Sequence, residues 1–323
     1  MNVYLSLIKR EFQEHSGLFV WLPAAVTAGL ILIMLYTAWK FPPNSALFEF
    51  GLIELVVNEE PDAEADTVKR QDYIVDFEAG RLRPLEQGAD ATANGTTVSE
   101  IVSESLYGIQ MMYLSLAGFV MFFYLLYCLY SDRKDRSILF WKSMPVAEIK
   151  NVAVKFLVAI LAVPLIATAF SWVVELSFLS LVAYMVDKGA PEIWSSAWPN
   201  IDLIRTLFFQ AWSPFLIALW MLPINAWLIF ASALARREPF LIAIIPIAGV
   251  MIIETLIFGT NHISGWIGEH FVFVSLQGLS LPPDTTQQLY GGSLGVADLI
   301  AGMVFAGALL GGAVWLRNYR FEL

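Results

Sequence analysis

Residues 131–150 read SDRKDRSILFWKSMPVAEIK, a short charged island between two long apolar runs. The island holds five of the chain's 19 lysines and arginines: Arg133, Lys134, Arg136, Lys142 and Lys150. Ahead of it lies GIQMMYLSLAGFVMFFYLLYCLY (108–130), and behind it VAVKFLVAILAVPLIATAFSWVVELSFLSLVAYMV (152–186). Each flank is long enough to cross a bilayer, and cations clustered at the end of a span mark its cytoplasmic side. Inside the island Ile138, Leu139, Phe140 and Trp141 form a compact apolar patch, and Pro145 then breaks the chain. Aromatics ringed by charge fit two readings. One is a docking site for a cytosolic partner. The other is an interfacial helix with Phe140 and Trp141 dipped in lipid headgroups.

Composition widens the membrane reading to the whole chain. Of 323 residues, 58% are hydrophobic and 15% charged, where a soluble domain carries about 25% charged residues. Apolar runs of 18 residues or more recur, and they do not alternate as the strands of a membrane barrel would. The expected fold is an all-α polytopic membrane protein with six transmembrane helices. The single cysteine, Cys128, makes no internal disulfide and no metal cluster.

Taken in order, residues 1–17 are amphipathic, with Tyr4, Leu5, Ile8 and Phe12 on one face and Lys9, Arg10, Gln13 and Glu14 elsewhere. They are expected to lie along the cytoplasmic surface and feed a first span at about 18–39, so that 1–40 forms one unit. The first apolar run is longer than a signal peptide's and reads as a retained span. Residues 41–107 are different material. Fourteen acids face four bases there, a net of 4 − 14 = −10, which equals the formal charge of the whole chain. This segment reads as an external insertion between spans one and two, with YIVDFEAGRLRP able to hold a short strand or helix. The remainder, 108–323, carries five further spans at about 108–130, 152–186, 206–234, 240–258 and 299–316. The 35-residue third run is too long for a straight crossing, and Pro164 is its expected kink. Residues 259–298 hold no Lys or Arg and read as an external re-entrant or interfacial element. Twelve cations then fall inside and seven outside, with both termini cytoplasmic.

Within the spans, Glu175 and Glu254 are costly in lipid and must face protein or water. Each fits a substrate path or helix-to-helix hydrogen bonding. Asn225 reads as interhelical glue, and it joins the two acids as a candidate path residue. Gly307 and Gly311 form a GxxxG spacing that Ala308 and Gly312 repeat one residue on. His262, Glu269 and His270 read as ordinary interface residues. No phosphate loop, HExxH motif or nucleophile with its base occurs. The chain is therefore not expected to be an enzyme or to hold a cofactor, and nucleic acid is not an expected partner.

The string LYSDRKDRSILFWKSMP at 129–145 resembles the cytoplasmic loop of type 2 ABC exporter permeases, which carries D-R-x-x-x-S-I-L-F-W-K-S-x-P between its second and third spans. The amphipathic start, six spans, semi-apolar element before the last span and basic C-terminal end are similar as well. The acidic insertion at 41–107 departs from the compact members. The resemblance implies a permease subunit in a plasma membrane, the bacterial inner membrane, paired with a second copy and served by two ATPase subunits. ATP and Mg would be held by those partners. It further implies that Arg133, Lys134, Asp135, Arg136, Ile138, Phe140, Trp141, Lys142 and Pro145 belong to a coupling helix seated in the ATPase, and that the substrate is amphipathic. The other function open to these residues is a membrane-anchored sensor or assembly subunit whose acidic external segment binds a partner.

Overall fold

The computed structural model describes residues 3–40, 73–76, 81–84, 98–136, 147–189, 198–201, 203–260, 262, 265–267 and 296–319. It is overwhelmingly helical. Among the described residues six helices are long and apolar enough to cross a membrane: Gly17–Lys40, Val102–Lys134, Glu148–Tyr184, Leu203–Trp220, Pro239–Phe258 and Leu299–Tyr319. A multi-pass membrane protein is the class these helices define.

The amphipathic start is helix α1 (Val3–Glu14). Leu7 and Glu11 are buried against protein, one turn apart, while Tyr4 and Leu5 of the expected apolar face are exposed.

A π-helical turn, Gly17–Trp21, then leads into α2 (Leu22–Lys40). Pro23 explains the wide turn, because a proline lacks the N–H that would close the preceding α-turn and its ring crowds the carbonyl four residues back. The same device recurs in the third span. Helix α4 (Glu148–Leu157) passes through a π-turn, Val158–Ala162, into α5 (Val163–Gly189), and Pro164 stands two residues beyond the turn. The expected kink is thus absorbed one turn ahead of the proline.

Between α2 and α3 the described residues are two short strands, β1 (Tyr73–Asp76) and β2 (Arg81–Pro84), paired antiparallel with Tyr73 opposite Pro84. They fall in YIVDFEAGRLRP, where a strand or helix was expected. Helix α3 runs from Val98 to Lys134, 37 residues. It begins ten residues before the expected start of the second span. Val102, Leu106 and Gln110 recur every fourth residue and are buried, a helical stripe masked in the sequence by Ser and Glu on the other faces.

The fourth span is not continuous over 206–234. Helix α6 (Leu203–Trp220) stops at Met221, whose φ −79°, ψ 4° is non-helical, and α7 (Leu222–Leu234) restarts with Pro223 in its first turn. Proline is favoured at a helix start and disfavoured inside one, so Pro223 makes the break. A four-residue gap, Ala235 to Glu238, leads to α8 (Pro239–Ile253), which ends in a π-turn, Glu254–Phe258, and a left-handed Gly259. Helix α9 (Val296–Tyr319) is the last. Apart from 259, 260, 262, 265–267 and 296–298, the expected re-entrant stretch 259–298 lies outside the described residues.

The chain divides into two compact units. One comprises Met1–Ala24, Met111–Ala169 and Phe208–Leu323, the other Ala25–Gln110 and Phe170–Leu207. In the first, α7 packs against α8 and α9, and α4 packs against α1 and α9. Its core includes Tyr113, Leu125, Leu126, Ile229, Ala306 and Ala313, all fully buried.

Candidate functional site

The first unit holds a chain of ionised side chains inside protein. Four of them sit where helical phase puts core residues. On α3 the buried stripe Tyr113, Ala117, Met121, Tyr124, Cys128 advances by three or four residues at each step, and the next member is Asp132. On α9 the stripe Ala306, Ala313 continues to Arg317, on α4 Asn151 continues to Lys155, and on α1 Leu7 continues to Glu11. An acid or base on such a stripe is carried into the interior whatever its solvation cost, and it needs a partner there.

The partners alternate in sign. Arg10 donates to Glu11 Oε1. Lys155 Nζ lies 3.1 Å from Glu11 Oε1 and 3.5 Å from Asp132 Oδ1. Arg317 Nη1 lies 2.8 Å from Asp132 Oδ2, and its Nε lies 2.8 Å from Glu148 Oε2. Three cations and three acids make the row neutral. The Tyr124 hydroxyl donates to Glu11 Oε2 at 2.8 Å, and His15, Phe19 and Tyr124 stack around that end with ring centroids 5.0–5.7 Å apart. Burial alone pushes the Glu11 carboxyl up. The Lys155 ammonium, with Arg10 and the Tyr124 hydroxyl, outweighs that effect and holds it below its ordinary value.

The row ties both stems of the 131–150 loop to helices remote in sequence. Asp132 is on the leading stem and Glu148 on the trailing one, and a single guanidinium from the last helix grips both. Arginine suits this task because its planar fork presents donors in fixed directions. Next to Asp132, the Arg133 side chain turns back into the protein. Its Nη2 donates to Ser232 O at 2.8 Å and Ala235 O at 2.6 Å, capping the carbonyls that α7 leaves open at its C-terminal end. The buried Ser232 hydroxyl accepts from the Leu129 and Tyr130 amides at 3.1 and 3.0 Å. The stem finishes with Arg136 in the left-handed region at φ 57°, an uncommon conformation for a residue with a Cβ that sharply redirects the chain as the loop begins.

Of the expected loop residues, Lys134, Asp135 and Arg136 are exposed while Arg133 is partly buried. Ile138, Phe140, Trp141, Lys142 and Pro145 lie outside the described residues. Among the expected path residues, Glu175 is buried on α5 in the second unit. Asn225 and Glu254 are buried in the first. Glu254 accepts from Thr260 Oγ1 at 3.3 Å, and Asn225 Nδ2 has no hydrogen-bond acceptor among the described residues. In the second unit Ser171 donates to Gln110 Oε1, both buried.

Glu11, Glu14 and His15 bring possible ligand atoms within 4.8 Å of one another. Glu11 is already neutralised by Lys155 and Arg10, so the group has little charge left for a metal ion. Of the two small-residue spacings on α9, it is the second that makes contact: a Cβ on Gly312 would meet the Phe230 ring at 2.9 Å, whereas Gly307 and Gly311 have nothing within 4 Å.

Glu11, Asp132, Glu148, Lys155 and Arg317 were not singled out from the sequence. Their signal was present as phase: each but Glu148 falls three, four or seven residues from core positions of its own helix. No protein-family model, no curated protein and no solved structure matches this chain.

Proposed function

We propose that the chain is the transmembrane permease subunit of an ATP-binding cassette exporter. In this reading it pairs with a second permease copy in a plasma membrane, keeps both termini cytoplasmic, and is driven by two separate ATPase subunits that hold ATP and Mg. The loop 131–150 is the coupling element, with Phe140 and Trp141 buried in the ATPase and Lys134, Asp135, Arg136 and Lys142 at the rim. Glu175, Asn225 and Glu254 are the candidates for the substrate path.

The observation that carries the reading is the double grip of Arg317 on Asp132 and Glu148. A loop that receives force from a partner must pass it to the spans and not lose it in yielding stems. Here both stems are joined through buried ion pairs to α1, α4 and α9, and buried pairs are costly to break. The loop's own sequence supplies the docking chemistry, an aromatic patch among cations. Burying Phe140 or Trp141 is worth roughly 1.5–3 kcal/mol each, whereas an exposed ion pair gives about 0–1 kcal/mol.

The test is co-purification of the chain with an ATPase that carries a phosphate loop, followed by ATPase and transport assays on the reconstituted complex. Phe140→Ala and Trp141→Ala should release the ATPase or uncouple hydrolysis from transport. Normal coupled turnover in the double variant would end the coupling reading, and failure to capture any ATPase would favour a sensor or assembly subunit.

A further inference from the structure

Helices α7, α8 and α9, with Phe122 of α3 and residues 266–267, line an open cavity of about 290 Å3 whose lining is apolar. It lies within the first unit and shares no residue with the buried ion row. Two prolines line it. Pro223 stands in the first turn of α7 just past the Met221 break, and Pro246 lies inside α8, where its ring and missing N–H disturb regular helix packing.

The walls are fixed. Trp227 Nε1 donates to Ala243 O at 2.9 Å, which spends the indole's only polar group and keeps the ring from falling inward. Trp266 and Phe305 form another wall, edge to face with centroids 6.1 Å apart. Of the residues that line it, Ile244 and Val250 of α8 are 40% and 44% exposed and Phe305 of α9 is 45% exposed. The cavity therefore opens on the outer faces of two helices apolar and long enough to span a membrane.

An empty space of this size would forfeit dispersion contacts for every atom around it. It is roughly twice the apolar cavity that accepts benzene and stays dry. Water, a headgroup or a peptide backbone would enter with hydrogen bonds unmet, since the lining is apolar. What the surrounding bilayer supplies in excess is hydrocarbon. We propose that the cavity binds one acyl chain of a membrane lipid, entering sideways between α8 and α9. This stands on the cavity alone and does not rest on the ATPase reading.

The probe is a phosphatidylcholine with a diazirine near the end of one acyl chain, used at trace level in phosphatidylcholine vesicles holding the full-length protein. After irradiation, label should concentrate on peptides carrying Trp227, Trp266 or Phe305. Ala243→Trp fills the space and should lower that label at least fivefold, while Ile252→Trp on the exposed face of α8 should leave it unchanged. On the unsubstituted protein, excess dodecane should remove the cavity label selectively, a readout that does not depend on either variant folding. The proposal is overturned by label spread evenly over the outer faces of all spanning helices. It is equally overturned by label insensitive to dodecane, or by a cavity unlabelled in every sample, as a second copy seated over it would produce.

Discussion

Arg317 Nη1 lies 2.8 Å from Asp132 Oδ2, although the two residues are 185 positions apart. The same guanidinium reaches Glu148 across the loop. The contact joins the last helix to both stems of the 131–150 segment, and it does so inside protein, where an unpaired charge is far more costly than a paired one.

Removing that cation should therefore be severe. Arg317→Gln leaves Asp132 with Lys155 and takes from Glu148 the guanidinium that grips it, and it should destabilise the protein by about 3–5 kcal/mol. Thermal unfolding in detergent would show it as a lowered midpoint. Arg317→Lys keeps the charge but loses the fork and should fall between the two. Because the partners act as a unit, Asp132→Asn combined with Arg317→Gln should cost clearly less than the sum of the single changes. Additive losses would mean that the two side chains do not interact.

Glu11 gives the protein an acid-sensitive contact. Its folded pKa is held below the ordinary value of 4.5 by Lys155 and Arg10 against the opposing effect of burial. A carboxyl with a depressed folded pKa contributes stability that is fully present above its unfolded pKa and is lost as pH falls through the folded value. The unfolding midpoint should thus be level, as far as this group decides it, from neutral pH to about 5 and decline below that. Glu11→Gln should lower the midpoint at pH 7 and flatten the part of the acid decline that belongs to this group. An unchanged acid profile in Glu11→Gln would remove Glu11 from the account.

The glycines of α9 should separate by position. A Cβ at Gly312 would meet Phe230 at 2.9 Å, so Gly312→Val should destabilise by about 1–3 kcal/mol as an overpacked contact between α7 and α9. Gly311→Ala meets open space and exchanges glycine for a better helix former, so it should be neutral or stabilising by up to about 1 kcal/mol. Equal losses at both positions, in the same unfolding measurement, would point to a second copy packed against the open face.

Much of this architecture was legible in the residues themselves. Six spans, a bend near Pro164 and an amphipathic start to the chain follow from run length, helical period and proline chemistry, which depend on neighbours along the chain. The span 206–234 was misread as continuous even though Pro223 was in view. A proline within an apolar run is tolerated in membranes often enough that its local effect depends on the helices beside it. The start of α3 at Val98 was hidden for a related reason, since Ser and Glu on its outer faces lowered the apolar signal while Val102, Leu106 and Gln110 kept the helical period.

What only the tertiary structure decided is which charges meet. Lys155 was counted as one more cation on the inner side, and neither Glu11 nor Asp132 was given a role. In the fold they form a neutral row with Arg317, because α4 packs against both α1 and α9. Apolar length is a property of each segment by itself, so the sequence alone determined how many times the chain can cross a membrane. Ion pairing depends on which helix faces come together, and that is settled by packing among segments far apart in the chain.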